Sequence, residues 1–327
     1  MESDPKVRGA GFFEFGGPDV LRIVELPAPS PGVGEVAISV RAAPVNPTDL
    51  LMRSGAQVAL MSGLTPPYLA GVEFSGEVAE LGEGVSGLSV GMPVMGVVDA
   101  RRPEGGAYVE RIVVPADSVA AIPPRPNWSV YAAVPLNGLT AILALESLAL
   151  PGGSTLLVTG AAGALGGFCV QLARELGLRV VVDARSADEP WSRALGAEVV
   201  VPRGPSMEED VRRHFRAGVD AAIDAARVGQ GAAGSVRDGG RIIRVRVSDL
   251  ASSRRIEERV ISYLTAIRRT GLLRQLADLV EVGRLTPRIA AEMPLERAAV
   301  AHRMLEAGGV RGRLVLRVGG AEGSVPG

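Results

Sequence analysis

The sequence predicts an α/β chain: a barrel-like β module followed by a doubly wound parallel sheet. Up to Pro124 the apolar residues fall in short runs cut by glycine and proline turns, as short strands require. Past Pro123-Pro124-Arg125-Pro126 the pattern changes to apolar runs alternating with helix-period segments, as in a parallel sheet with crossover helices. A third observation fixes the centre of the second part. From residue 155 to 177 the chain reads TLLVTGAAGALGGFCVQLARELG, an apolar run, a turn of small residues and an apolar-periodic helix stopped by Gly177.

In order, strands are expected at 9–16, 20–27 and 35–46, separated by Gly-Pro and Pro-Gly turns. Asn46-Pro47-Thr48-Asp49 opens a short helix over 48–53. Pro47 suits a helix start, and Gly55 stops the helix. Residues 69–96 read as strand, glycine turn, strand, and 105–114 as a further strand. Residues 129–149 are helical in period. Strands then fall at 156–158, 178–183, 198–201, 219–224 and 241–247, with a short helix at 191–195. The stretch 257–283 reads as helical. A helix at 298–307 and a strand at 312–318 precede a Gly-rich tail, 319–327, that is expected to be disordered.

Composition narrows the function. Hydrophobic residues make up 47% of the 327, and the formal charge is −1. No basic excess points to nucleic acid or to an anionic membrane surface. Apolar runs break well before 18 residues, so no membrane span is expected, and the charged residues 1–6 lack the apolar core of a signal peptide. Cys169 is the only cysteine, which excludes an intrachain disulfide and fits a reducing, cytoplasmic setting. Lys6 is the only lysine, so the other 34 of the 35 basic residues are arginines, and any phosphate clamp must be built from arginine.

The turn over 160–166 is the expected nucleotide site. Small residues let a pyrophosphate approach the backbone, and the helix behind them offers free N–H groups and partial positive charge. The candidate contacts are Ala162, Gly163, Ala164, Leu165 and Gly166. The spacing departs from G-x-G-x-x-G, because Ala161 stands where the first glycine would precede Gly163 and Gly166. Asp183, about 20 residues further on, occupies the place of an acid that accepts a ribose 2′-hydroxyl. Arg185 and Ser186 beside it, and Arg203 after the next strand, are suited instead to a 2′-phosphate, or else form a solvated rim.

Several motifs in this order carry a resemblance. They are FGGPDVLRIVELPAPSPGVGEVAISVRAAPVNPTDLLMRSG, LAGVEFSGEV, GGAYVERIVVP, LNGLTA, the glycine turn, ALGAE, DGGRI and GGVRGRLVL. Over residues 8–318 the chain resembles a zinc-independent medium-chain dehydrogenase/reductase, of the quinone oxidoreductase (zeta-crystallin-like) branch that also holds enoyl reductases. The resemblance implies a GroES-like β-barrel domain made from both chain ends, 1–125 and 258–327, with a Rossmann domain over 126–257. It further implies NADPH or NADH as cofactor, a small-molecule substrate reduced by hydride in the cleft between the domains, and a homodimer.

By the same resemblance Asn46 and Thr140 lie near the nicotinamide, and Arg313 lies against the cofactor phosphates. The alternatives are a helix-entry role for Asn46 and a surface strand position for Arg313. Zinc relatives carry cysteine at Asn46 and Gly-His-Glu at Gly71-Val72-Glu73. Asparagine is a poor zinc ligand and valine none, so no zinc is expected. His214 and His302 fall in polar helical segments and read as solvated or structural. The family's tyrosine two positions after Asp49 is Leu51 here, and Asn137 stands where relatives carry glutamine. Tyr68 is the remaining candidate proton donor, unless its hydroxyl is satisfied by backbone. Asp49 reads as holding a loop.

The cofactor is expected to be NADPH, with NADH the alternative. The expected reaction is hydride transfer to a quinone, conjugated enone or enoyl thioester, which needs orientation and exclusion of water rather than a Lewis acid. The Arg-, Ala- and Gly-rich composition suits secondary-metabolite tailoring. A carbonyl or alcohol dehydrogenase, and a nucleotide-binding structural or regulatory protein without turnover, are the competing readings.

Overall fold

The strand Glu35–Pro44 is ten residues of mostly buried side chains, and the first of two units assembles on it. The computed structural model of the chain describes residues 5–245 and 255–319. That first unit comprises Met1–Leu136, Ile267–Val282 and Arg288–Gly327. Its larger sheet has seven strands, six of them in the order Ile289–Pro294, Arg313–Arg317, Glu35–Pro44, Glu73–Leu81, Pro93–Val97 and Val119–Ala121. The seventh, Arg111–Pro115, pairs with Glu35–Pro44 as well. A smaller sheet sets Lys6–Phe12 between Arg22–Pro27 and Tyr68–Leu69. All of these pairings are antiparallel except that of Ile289–Pro294 with Arg313–Arg317, so the β module is drawn from both ends of the sequence.

The second unit is Asn137–Ala266 with Gly283–Pro287. Its six strands are all parallel, in the order Val199–Pro202, Arg179–Ala184, Thr155–Val158, Val219–Asp224, Val236–Arg244 and Glu257–Val260. The unit's first strand in sequence, Thr155–Val158, therefore lies in the middle with its successors running off to either side. The order reverses between Thr155–Val158 and Val219–Asp224, and the crevice at their carboxyl ends is where such sheets bind ligands. Leu157, Val181, Val201, Ala222 and Ile242, one from each of five strands, are buried together, which is why these strands read as unbroken apolar runs.

The units divide at 136 and 266, beyond the expected 125 and 257. Trp128–Ala132 packs on Glu35–Pro44 and Glu73–Leu81, where Ser75 Oγ donates to Trp128 O at 2.7 Å. At the other boundary, Glu257–Val260 pairs with Val236–Arg244 in the second unit, whereas Thr270 Oγ1 returns to the first by donating to Asp117 O at 2.6 Å. Residues 283–287 join the second unit through Gln171, which accepts the Thr286 N–H at 2.8 Å and donates to Thr286 O at 3.3 Å.

Three expected elements need correction. Residues 257–260 form a strand rather than the start of a helix. Their charges meet cross-strand partners, Arg241 with Glu257 and Arg244 with Glu258, so a polar run is stable at the sheet edge. The helix there is Thr270–Glu281. The stretch 105–114 is a strand only from Arg111, because the N–H groups of 106–108 instead donate to the carbonyls of Leu69, Gly71 and Ala70. The helical stretch 129–149 is two helices, Trp128–Ala132 and Pro135–Leu148, broken where Pro135 can supply no N–H. The expected ends at 246–247 and the tail over 320–327 lie outside the described residues. No helix among the described residues is long and apolar enough to cross a membrane.

Phe74 sits fully buried in Glu73–Leu81, near the middle of the larger sheet. Phe74→Ala should cost about 3–5 kcal/mol in urea unfolding. A loss under about 1 kcal/mol would show that this sheet does not pack around the ring.

Candidate functional site

The strand Thr155–Val158 delivers the chain to the turn at the point where strand order reverses. Thr159 Oγ1 donates to Asp224 Oδ1 at 2.8 Å and accepts the Ala226 N–H at 2.9 Å. Asp224 also takes the N–H groups of Val228 and Gly229, at 2.8 and 2.9 Å. The two loops that flank the crevice are thus tied by one carboxylate. The helix Ala164–Glu175 then starts at Gly163, whose N–H donates to Gly160 O at 2.9 Å and which provides no side-chain cap. A β-carbon on Gly166 would clash with the Gly160 and Ala161 backbone, so glycine there lets the helix close on the turn. One on Gly163 would meet only Gly160 O, at 3.2 Å. Gly163 is exposed, Ala162, Ala164 and Leu165 are half-buried and Gly166 is buried. The first helical N–H groups have no intrahelical acceptor, so the residues present fit the pyrophosphate of a dinucleotide.

At the expected adenosine end the acid and one arginine are joined. Asp183 Oδ1 accepts the Gly160 N–H at 2.6 Å, and its Oδ2 lies 2.9 Å from Arg203 Nε. Arg185 and Ser186 are exposed, and Arg185 makes no ion pair among the described residues.

The first unit holds a buried polar cluster. Glu73 pairs with Arg313, accepts the Leu136 N–H at 2.8 Å and accepts Asn46 Nδ2 at 3.1 Å. Arg313 is only 5% exposed, so the expected alternative of a surface strand residue fails: the arginine is buried where it meets the demand of a buried glutamate for a cation. Burial pushes the Glu73 carboxyl up and Arg313 pulls it back. Because a carboxylate paired with arginine only accepts, the Asn46 amide must turn its nitrogen to Glu73. That leaves Asn46 Oδ1 as a fully buried acceptor without a partner.

Beside it, Asp49 caps the chain entering Pro47–Arg53 by accepting the Asn46 N–H at 2.8 Å, and it also holds the Gly71 N–H at 3.0 Å. Its third donor is the Tyr108 hydroxyl, at 3.1 Å. Tyr108 in turn lies 3.3 Å from His302 Nε2, and Arg53 NH1 lies 3.5 Å from His302 Nδ1. Arg53 pairs with Glu306 and donates to Gly16 O at 3.1 Å. Burial lifts Asp49 to about 7 despite its three donors. Burial, then the neighbouring Arg53, lowers His302 to about 3, so its ring is neutral. With Asp49 ionised, the donor order runs from Arg53 through His302 and Tyr108 to Asp49.

His302 is therefore a fully buried, structural histidine and not a solvated one. The spacing of Ala298, Ala301 and His302 on one helix face was a signal for this, masked by the polar residues between. Tyr108 and Arg53 carried no comparable signal. His214 is exposed. Tyr68 stacks on Phe15, with centroids 5.4 Å apart, and its hydroxyl donates to Leu64 O at 3.4 Å. Thr140 and Leu51 are half-buried, the former on Pro135–Leu148, where Asn137 Nδ2 is buried without a partner. Cys169 is buried, which pushes its thiol up to about 12. Among the described residues no group of three His, Cys, Asp or Glu side chains could hold a metal ion.

Two family models match the chain, the alcohol dehydrogenase GroES-like domain over residues 32–124 and the zinc-binding dehydrogenase over 195–316. A quinone oxidoreductase of Sus scrofa is 30% identical over 324 residues, covering 93% of this chain and 95% of that protein. A polyketide synthase of Streptomyces halstedii is 34% identical over 302 residues; these are 87% of this chain but only 5% of the synthase. Among solved structures, a mycobacterial protein complexed with NADPH superposes with a TM-score of 0.82 at 29% identity, over 95% of this chain and 99% of that one.

Gly163→Val should abolish NADPH binding in a fluorescence titration while leaving the fold intact, since the branched side chain fills the pyrophosphate approach. Unchanged affinity would place the nucleotide elsewhere.

Within the buried cluster, Asp49 and His302 act oppositely on stability. Unfolded His302 takes a proton below 6.5 while the folded ring resists until about 3, so its contribution is lost as pH falls through that window. Folded Asp49 keeps its proton up to about 7 and unfolded Asp49 loses it near 3.8, so its contribution is lost as pH rises. With His302→Asn the opposing histidine slope is removed, so the urea midpoint should drop with rising pH by more than in the parent between about pH 4.5 and about pH 7. An equal or shallower fall would contradict this assignment.

Proposed function

Because the chain belongs to the medium-chain dehydrogenase/reductase family, on its quinone oxidoreductase-like side, we propose that it is a zinc-independent, NADPH-dependent reductase. Its acceptor is a quinone, a conjugated enone or an enoyl thioester. The observation that carries the cofactor half is the cradle at Gly163–Gly166, open at Gly163 and closed behind by the approach of Gly166 to Gly160. The mycobacterial relative that holds NADPH supports the same half.

When bound, the nicotinamide supplies the hydride; the chain supplies the rest. Gly163 to Gly166 hold the pyrophosphate through backbone N–H groups. Asn46 enters this proposal only through the family resemblance; its unpaired oxygen is enclosed within the first unit. Glu73 and Arg313 keep that amide from turning. Tyr68 directs its hydroxyl to Leu64 O, so solvent provides the proton that completes reduction. The zinc-independent assignment is supported by the same cluster: Asn46 replaces the usual cysteine, and Glu73 is engaged by Arg313. The descriptions of the two family models favour an alcohol dehydrogenase as the second reading. A tailoring role like that of the polyketide synthase relative, a homodimer and a cytoplasmic setting belong to the same proposal.

NADPH consumption with 1,4-naphthoquinone and with a simple enone, before and after dialysis against a chelator, tests it. Turnover of either acceptor, unchanged by the chelator, is expected. Turnover that depends on restored zinc favours the alcohol dehydrogenase, and tight NADPH binding without turnover would leave a nucleotide-binding protein. Arg185→Ala should raise the Kd for NADPH about tenfold and that for NADH less than about twofold. An equal loss for both cofactors would mean that Arg185 never meets the 2′-phosphate.

A further inference from the structure

We infer that Asp183 is a positioning residue for recognition of the 2′-phosphate of the cofactor, not the acceptor of a ribose hydroxyl that its place in the sequence suggests. The inference rests on the NADPH reading above. An acid that receives ribose hydroxyls must turn a free carboxylate edge to the ligand. The Asp183 side chain is 1% exposed, and both oxygens already face protein groups. Oδ1 takes the Gly160 N–H at 2.6 Å and so fixes the entry to the cradle, where Gly160 has a φ of 70°. Oδ2 stands 2.9 Å from Arg203 Nε without an aligned hydrogen bond, so attraction of charge holds that contact.

The register of the sheet brings these groups together. Asp183 pairs with Val201 and Ala184 with Pro202, and the Arg203 N–H donates to Ala184 O at 2.9 Å. Arg203 is thereby held at its backbone and at Nε, while its side chain stays 39% exposed. Exposed Arg185 and Ser186 follow Asp183 directly in the chain. The charges of Asp183 and Arg203 offset each other, and Arg185 leaves the rim positive. A ribose diol needs an acceptor, which a guanidinium is not; a phosphate dianion needs donors, which two arginines and a serine hydroxyl provide.

The two roles for Asp183 predict opposite shifts in cofactor preference. Fluorescence titration of Asp183→Asn should show the Kd for NADPH raised about fivefold or more and that for NADH changed less than about twofold. The melting temperature of the cofactor-free variant should also fall, since Gly160 loses a charged acceptor. A ribose acceptor gives the reverse, weaker NADH with NADPH unchanged or tighter. That result, or equal losses for both, overturns the inference. Should Asp183→Asn not fold, Arg203→Gln at its partly exposed side chain carries the same expectation of lost NADPH preference, and retained preference overturns the inference there too. A parent protein that binds neither nucleotide would instead overturn the proposed cofactor itself.

Discussion

The close approach of Gly166 to the Gly160 carbonyl is the constraint on which the nucleotide unit depends. It lets the helix Ala164–Glu175 close against the end of the central strand, and it needs a residue without a β-carbon. The rest follows from that proximity. Thr159 and Gly160 are held by carboxylates from two neighbouring strands, Asp224 on one side and Asp183 on the other. The turn is therefore braced from both flanks before any ligand arrives. Preorganisation of this kind lowers the ordering cost of binding a ligand at the turn, because its backbone donors are already fixed.

The β unit solves a different problem, the burial of several ionisable groups near Asn46. An unpaired charge there would cost several kcal/mol, and the chain answers with pairs. Glu73 meets Arg313, and Arg53 meets Glu306. Asp49 and His302 are handled by shifted protonation and by a directed series of donors through Tyr108. Both solutions converge on the residues entering Pro47–Arg53, so the orientation of one asparagine amide is fixed by groups drawn from both ends of the chain.

The central strands of the parallel sheet were plain in the sequence because they are buried on both faces, and Val219–Asp224 was placed to the residue. The glycine turn was legible for a related reason, since sterics alone dictate its small residues. What could not be read was the pairing of charges across long separations. Arg313 and Glu73 lie 240 residues apart, and nothing local to either announces the other. Glu257–Val260 looked helical because its charges have no apolar period, and only the cross-strand arginines show why it extends. The motif rule identified Asp183 by position but was silent on which way the carboxylate turns, a matter decided by Arg203 on the adjacent strand.

The near absence of thiol and lysine nucleophiles acquires a chemical sense beside acceptors of the proposed class. Quinones and enones are electrophiles that add thiolates and free amines at their electron-poor carbon, forming a permanent carbon–sulfur or carbon–nitrogen bond with the catalyst. Here the sole thiol is enclosed in the packed helix behind the turn, with its ionisation displaced to about 12, and the sole lysine is at the sixth residue. Guanidinium groups, which carry nearly all of the positive charge, stay protonated and do not alkylate under such conditions. A protein of this make-up could turn over reactive substrates repeatedly without being inactivated by them.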